Sequence, residues 1–259
     1  MGRSVLQFDV RYITNTGLVR EHNEDSILID EQLISSVSMD SAEKIVIDKD
    51  RVLFAVADGM GGHAKGEVAS KFVLTKLKIK FKDIDSKESL KAVLEDISQD
   101  INNFANELIE YRNMGTVLAG VAILQDKILI FNVGDCRVYE NSFGYANQLT
   151  KDHSLVYKLY EMGEISYEDI KSHPQKNKVT SAFVADGKQT SLDIYIKESN
   201  LNNTNLLICS DGVWEAITTN TLEECFGKED TLECLKSAVL KAGANDNFSA
   251  IYIKIKVAK

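Results

Sequence analysis

The stretch Val52-Leu53-Phe54-Ala55-Val56-Ala57-Asp58-Gly59-Met60-Gly61-Gly62-His63 joins an apolar run to a carboxylate and three glycines. Val52 to Ala57 reads as a β-strand, because β-branched and aromatic side chains suit a pleated, packed surface. Asp58 therefore stands at a strand end, where the sheet rim holds a functional group rigidly. The glycines let the backbone turn sharply and come close to a ligand before a helix begins. Taken alone, such a turn is as readily structural as functional.

The arrangement recurs. Leu207-Ile208-Cys209-Ser210-Asp211-Gly212 is again an apolar strand delivering an aspartate and then a glycine, and Asp246 sits in Asn245-Asp246-Asn247 just before a last apolar run. Asp-Gly and Asn-Asp are also ordinary turn chemistry, but three such acids flanking apolar strands favour a shared site. Carboxylate oxygens without histidine or thiolate partners suit hard cations, so Mg²⁺ or Mn²⁺ is expected. His22, His63, His153 and His173 show neither HExxH nor paired zinc spacing, which disfavours Zn²⁺.

Around these segments the pattern alternates between strand blocks and helices. Val5 to Ile13, Ser26 to Ile29, Lys44 to Ile47 and Val52 to Ala57 form a hairpin-like start. Helices follow over Glu67 to Phe81, with Ala69, Phe72, Val73 and Leu77 on one face, and over Leu90 to Leu108. Val117 to Leu124, Ile128 to Val133, Arg137 to Asn141 and Tyr145 to Leu149 read as a meander, with Gln125-Asp126 turning between the first two. Short helices over His153 to Lys171 close at Pro174, the only proline, and an irregular surface excursion runs to about residue 190. Strands return at Leu192 to Ile196 and Asn205 to Cys209, then helices near Val213 to Ile217, Leu222 to Phe226 and Leu232 to Val239. Phe248 to Val257 is the final strand. This order implies an α+β fold with two sheets and helices on their outer faces.

Composition narrows the class. The 259 residues are 44% hydrophobic and 27% charged, a globular balance that fits one domain. A net charge of −9 argues against nonspecific nucleic-acid binding. No run reaches the roughly 20 apolar residues of a membrane span or resembles a signal peptide, so a cytoplasmic protein is expected. Cys136, Cys209, Cys225 and Cys234 contain no CxxC pair and read as buried free thiols in a reducing cytosol. The residues six positions after them, Ser142, Glu215, Thr231 and Leu240, include no arginine to cradle a phosphate, which excludes cysteine-phosphatase chemistry. Gly187-Lys188-Gln189 and Gly227-Lys228-Glu229 both fail as the end of a nucleotide phosphate loop.

Gly17-Leu18-Val19-Arg20-Glu21-His22-Asn23-Glu24-Asp25 offers an arginine fork for a phosphate and two carboxylates for bound water, or else an exposed charged loop. The order Arg20, Asn23-Glu24-Asp25, Asp58-Gly59-Met60-Gly61-Gly62-His63, Gly134-Asp135-Cys136-Arg137, Ser210-Asp211-Gly212 and Asp246-Asn247 closely resembles the protein phosphatase 2C family, its bacterial branch above all, over nearly the whole chain.

The resemblance implies a single catalytic domain over 1–259, with a flap subdomain at about 153–190. It implies a central sandwich of two mainly antiparallel sheets between pairs of antiparallel helices, in α-β-β-α layers. Asp58, Asp211, Asp246 and the Gly59 carbonyl would hold two Mg²⁺ or Mn²⁺ ions, and Asp135 with Asp211 a weaker third. Arg20 would hold the phosphate and Glu24 and Asp25 would orient water; His63 is the nearest candidate for a general acid, or else a surface residue at a helix start with no catalytic role.

The implied activity is hydrolysis of phosphoserine and phosphothreonine in proteins by direct attack of a metal-bridging hydroxide. The implied setting is a monomer that reverses a serine/threonine kinase in bacterial signalling. A pseudophosphatase, binding phosphoproteins without turnover, is the rival, opposed by the complete carboxylates. The chain departs from the family at Gly115-Thr116-Val117, where Gly-Thr-Thr is usual, and at Ser181-Ala182-Phe183-Val184, where Arg-Ala-Leu-Gly is usual. Met60 stands where many eukaryotic members place a histidine.

Overall fold

The computed structural model describes residues 6–61, 65–125, 127–187, 191–200 and 204–257. Strands β1 (Leu6–Asn15), β2 (Ser26–Ile29), β3 (Gln32–Ser35), β4 (Glu43–Asp48) and β5 (Arg51–Met60) lead to helices α1 (Lys65–Lys80) and α2 (Lys87–Glu107). Then come β6 (Gly115–Leu124), β7 (Lys127–Val133), β8 (Arg137–Ser142) and β9 (Tyr145–Gln148). They are followed by α3 (Leu155–Glu161), β10 (Phe183–Val184), β11 (Tyr195–Asn200) and β12 (Asn205–Cys209). The last elements are α4 (Asp211–Trp214), α5 (Thr219–Phe226), α6 (Thr231–Lys241) and β13 (Phe248–Val257).

Apolar side chains on both faces of the strands make the layers. Along β5, Val52, Phe54 and Val56 point between the sheets, while Leu53, Ala55 and Ala57 point at α1 and α2. Along β13, Ile251, Ile253 and Ile255 point between the sheets, while Phe248, Ala250 and Tyr252 point at α4 to α6. Strands covered on both faces lose the polar alternation of a half-exposed sheet, and the period-2 pattern survives only as two different apolar sets. Three cores result, helix against sheet, sheet against sheet and sheet against helix, in α-β-β-α order.

One sheet runs β4-β1-β13-β12-β8-β9 and the other β11-β7-β6-β5-β2-β3, with β10 added against β6. Every pairing among the described residues is antiparallel. Helix α2 starts on a capping box, in which the Ser86 side chain accepts from Ser89 N and Ser89 answers the Ser86 N–H. No helix among the described residues is long and apolar enough to cross a membrane.

Several expectations change. The start is not a hairpin: β1 lies between β4 and β13, pairing Leu6 with Val257 and Asn15 with Phe248, while β2 joins the other sheet beside β5. The expected meander splits, β6 and β7 lying in one sheet and β8 and β9 in the other, because Gly134 turns the chain at φ +98°. The excursion after Pro174 contains β10, the next strand is Tyr195–Asn200 rather than Leu192 to Ile196, and α4 begins at Asp211 itself. Within the Gln125-Asp126 turn, Asp126 lies outside the described residues. Cys136 and Cys209 are buried free thiols, but Cys225 and Cys234 form a disulfide. Consecutive helices α5 and α6 bring their Cα atoms to 5.4 Å, a bridging separation that spacing along the chain did not reveal.

Candidate metal and phosphate site

The ends of strands from both sheets meet at one rim. Asp58 lies near the end of β5, opposite Val117 of β6. Asp135 follows β7, Asp211 follows β12, and Asp246 precedes β13. The loop from β1 to β2 brings Arg20, Glu24 and Asp25. A cavity of about 240 Å³ is lined by Arg20, Glu24, Asp58, Gly59, Asp135, Asp211 and Asp246. Met60, Asn177 and Val179 complete its wall on one side.

Backbone contacts explain why the rim needs its glycines. A Cβ on Gly59 would meet the Gly66 carbonyl oxygen at 2.2 Å, and one on Gly212 would meet the Asn247 carbonyl oxygen at 1.9 Å. The first turn of α1 thus abuts the end of β5, and α4 abuts the Asp246 loop, so any side chain there would push a carboxylate out of place.

Polar side chains tie the loops together. Asn247 accepts from Glu24 N at 2.8 Å and donates to the carbonyls of Thr16 and His22 at 2.8 and 2.9 Å. The Thr116 hydroxyl donates to the Asp58 carbonyl at 2.7 Å, and Trp214 Nε1 donates to the Asp135 carbonyl at 3.0 Å. Ser210 Oγ donates to Asp25 Oδ2 at 2.8 Å and accepts from Ser249 N at 3.0 Å. Sequence reasoning assigned no role to Asn247, Thr116, Ser210 or Trp214. Their signal was adjacency to the acid motifs, and their work is to satisfy loop carbonyls and fix a carboxylate.

The electrostatics are one-sided. Burial, with added repulsion from Asp211 and Asp246, pushes the Asp25 carboxyl up to about 7 against hydrogen bonds from Ser249 and Ser210. Asp211 is pushed up to about 7 by burial and by Glu215 and Asp246. Burial, then Asp25, Asp211, Asp135 and Asp246, raises Asp58 well above the usual carboxylate range. Asp135 is raised by burial, Asp211 and Asp152. Arg20 is the only cationic side chain on the cavity wall among the described residues, and its Nη2 is 2.7 Å from Asp246 Oδ2 at the surface.

A hard cation fits this set. The donors are carboxylate and carbonyl oxygens, the negative charge is buried without an equal countercharge, and Asp25 Oδ1 is buried with no hydrogen-bond partner among the described residues. The acids line a shared wall and do not form a closed cage: no three carboxylate, imidazole or thiol groups among the described residues already stand close enough to hold one ion. Of the sequence-selected residues, Arg20, Glu24, Asp58, Gly59, Asp135, Asp211 and Asp246 share the cavity, Asp25 lies behind it, and His63 lies outside the described residues.

Residues 35–242 match the family model of protein phosphatase 2C. With the fold and this rim in view, the chain belongs to the protein phosphatase 2C family, among its bacterial, metal-dependent serine/threonine protein phosphatases. It is 32% identical over 252 residues to the serine/threonine phosphatase stp of Listeria monocytogenes, covering 93% of each chain. The fold superposes on serine/threonine phosphatase Stp1 from Staphylococcus aureus with a TM-score of 0.80 and 29% identity, covering 95% of this chain and 94% of that one. The catalytic domain of serine/threonine protein phosphatase PstP, crystallised with two manganese ions, gives a TM-score of 0.75 and 25% identity over 96% and 99% of the two chains.

Proposed function

We propose that this rim hydrolyses phosphoserine and phosphothreonine in proteins with two tightly held Mg²⁺ or Mn²⁺ ions and a weaker third. The observation that carries the reading is the convergence of Asp58, Asp135, Asp211 and Asp246, from four separate strand ends, on one cavity with Arg20 at its edge. Two manganese ions in the related PstP domain support the metal count. Divalent cations supply an activated water and offset charge on the phosphoryl oxygens.

The protein's own part is positional. Asp58, Asp211, Asp246 and the Gly59 carbonyl hold the pair, and Asp135 with Asp211 takes the third. Asp25, fixed by Ser210, leaves Oδ1 as an acceptor that can orient the attacking water. Glu24, anchored through Asn247, does the same at the cavity mouth. Arg20 leaves its exposed pairing with Asp246 to fork onto the substrate phosphate. Residues 153–190 act as a flap, an assignment supported by Asn177 and Val179 in the cavity wall. A monomeric catalytic domain opposing a serine/threonine kinase fits this chemistry, and ATP-dependent protein phosphorylation would place its work in the cytoplasm.

The test is hydrolysis of a phosphothreonine peptide and of p-nitrophenyl phosphate with Mn²⁺ and then with excess EDTA. Activity with Mn²⁺ and none with EDTA is expected. Full activity in chelator overturns the mechanism.

A further inference from the structure

Beside the carboxylate cavity lies a larger groove of about 630 Å³, bounded by the 177–186 segment, Leu155 at the start of α3, Ser98 of α2 and Leu192. Met60, Asn177 and Val179 line both spaces, so they form the wall between them. Two large aliphatic side chains face this groove without joining any of the three cores, Leu155 and Val184, both half-buried.

Val184 is placed there by strand alternation. Its neighbours Phe183 and Ala185 enter the core under α1 and α2, so the side chain between them points the other way. Val184 Cγ2 and Met60 Cε both come within 3.4 Å of the Cβ position over Gly115, which puts Val184 against the dividing wall. Leu155 lines the same groove, its backbone held by the N–H bond to the Lys178 carbonyl at 2.8 Å. Half-exposed aliphatics in a concave space are the usual lining of a binding pocket, whereas singly exposed ones on a convex surface need no explanation.

We propose that this groove is a subsite for an apolar side chain of the phosphoprotein, leucine-sized, within about three residues of the phosphorylated serine or threonine, a reach set by roughly 3.3 Å of extended chain per residue. The inference rests on the phosphatase reading of the adjoining cavity. A chain whose phosphate meets Arg20 must leave the cavity across its rim, and the groove lies on the other side of the Met60, Asn177 and Val179 wall.

The experiment is a leucine scan. Phosphothreonine peptides in a glycine-serine frame carry one leucine at each position from three before to three after the phosphothreonine, and kcat/KM is compared with the frame peptide. Wild-type protein should favour leucine at one or two positions by about tenfold, the discrimination a hydrophobic pocket supplies. Leu155→Ser empties the groove and Val184→Trp fills it, so one folded variant is enough. Either should bring the ratio near one, with the frame peptide's kcat/KM in the same variant as its baseline. A flat wild-type scan, or a preference that survives in a folded variant, overturns the subsite. Absence of p-nitrophenyl phosphate hydrolysis by the wild type overturns the phosphatase reading instead.

Discussion

Asp135 and Arg137 are two residues apart, yet they anchor opposite kinds of buried charge. Arg137 is neutralised on the spot: its Nε lies 3.0 and 3.1 Å from the two Asp152 oxygens, its Nη1 donates to the Tyr139 hydroxyl at 2.9 Å, and its guanidinium lies 3.4 Å over the Trp214 ring. Both partners of that ion pair are 1% exposed. Asp135 instead joins Asp25, Asp58 and Asp211, each raised first by burial and then by neighbouring carboxylates, and Arg20 at their rim pairs with Asp246 at the surface. The balanced cluster serves the fold, and the unbalanced one calls for a cation. They meet at Trp214, which stacks under Arg137 and donates to the Asp135 carbonyl, so the balanced cluster holds the acidic one in place.

The largest effect should come from breaking the balanced side. Asp152→Ala leaves the Arg137 charge buried and unpaired, which costs about 3–5 kcal/mol, and urea unfolding should show the same loss with and without Mn²⁺. A loss of about 1 kcal/mol or less, as for a surface pair, would erase the distinction between the clusters.

The unbalanced side should respond to pH. Asp25 and Asp211 each reach about 7 in the folded protein, against about 3.9 for an unfolded aspartate. A raised carboxyl favours folding while protonated, so its contribution is complete below the unfolded value and is lost as pH rises to and through about 7. In EDTA the melting temperature should therefore fall between pH 5 and pH 8, and Mn²⁺ should remove most of that slope. A flat profile in EDTA would mean that neither burial nor neighbouring carboxylates raise these acids.

Smaller effects separate the parts of the rim. Thr116→Val removes the hydroxyl bond to the Asp58 carbonyl and should cost about 1 kcal/mol, with weaker Mn²⁺ binding by calorimetry. Unchanged metal affinity would make that bond purely structural. Arg20→Ala breaks only an exposed pair, so stability should shift by less than about 1 kcal/mol, while KM for a phosphopeptide rises. Unchanged kinetic constants would remove Arg20 from the phosphate site.

Asp58, Asp211 and Asp246 were legible in the sequence because each sits where an apolar run stops at Asp-Gly or starts after Asn-Asp-Asn, a local pattern, whereas Asp135 entered only through the family resemblance. Both long helices were legible through their 3.6-residue period. Partners were not: alternation along β1 shows which residues share a face, but nothing local says that the face meets β13 across some 240 residues of chain. The same limit hid the Cys225–Cys234 bond, which depends on how α5 and α6 pack, and the role of Asn247, whose three side-chain hydrogen bonds go to loops more than 200 positions away.

Asp211→Asn tests most directly whether unbalanced charge marks the functional cluster, because it removes one negative charge and almost no volume. Scanning fluorimetry of wild type and variant, in EDTA and across a Mn²⁺ titration, should show the variant melting at or above the wild type in EDTA. The variant should gain less from Mn²⁺ than the wild type, whose stabilisation grows with ligand concentration, and phosphatase activity should be nearly lost. A lower melting temperature by the same amount with and without Mn²⁺, with activity retained, would show that Asp211 only caps the turn into α4 and would contradict the account.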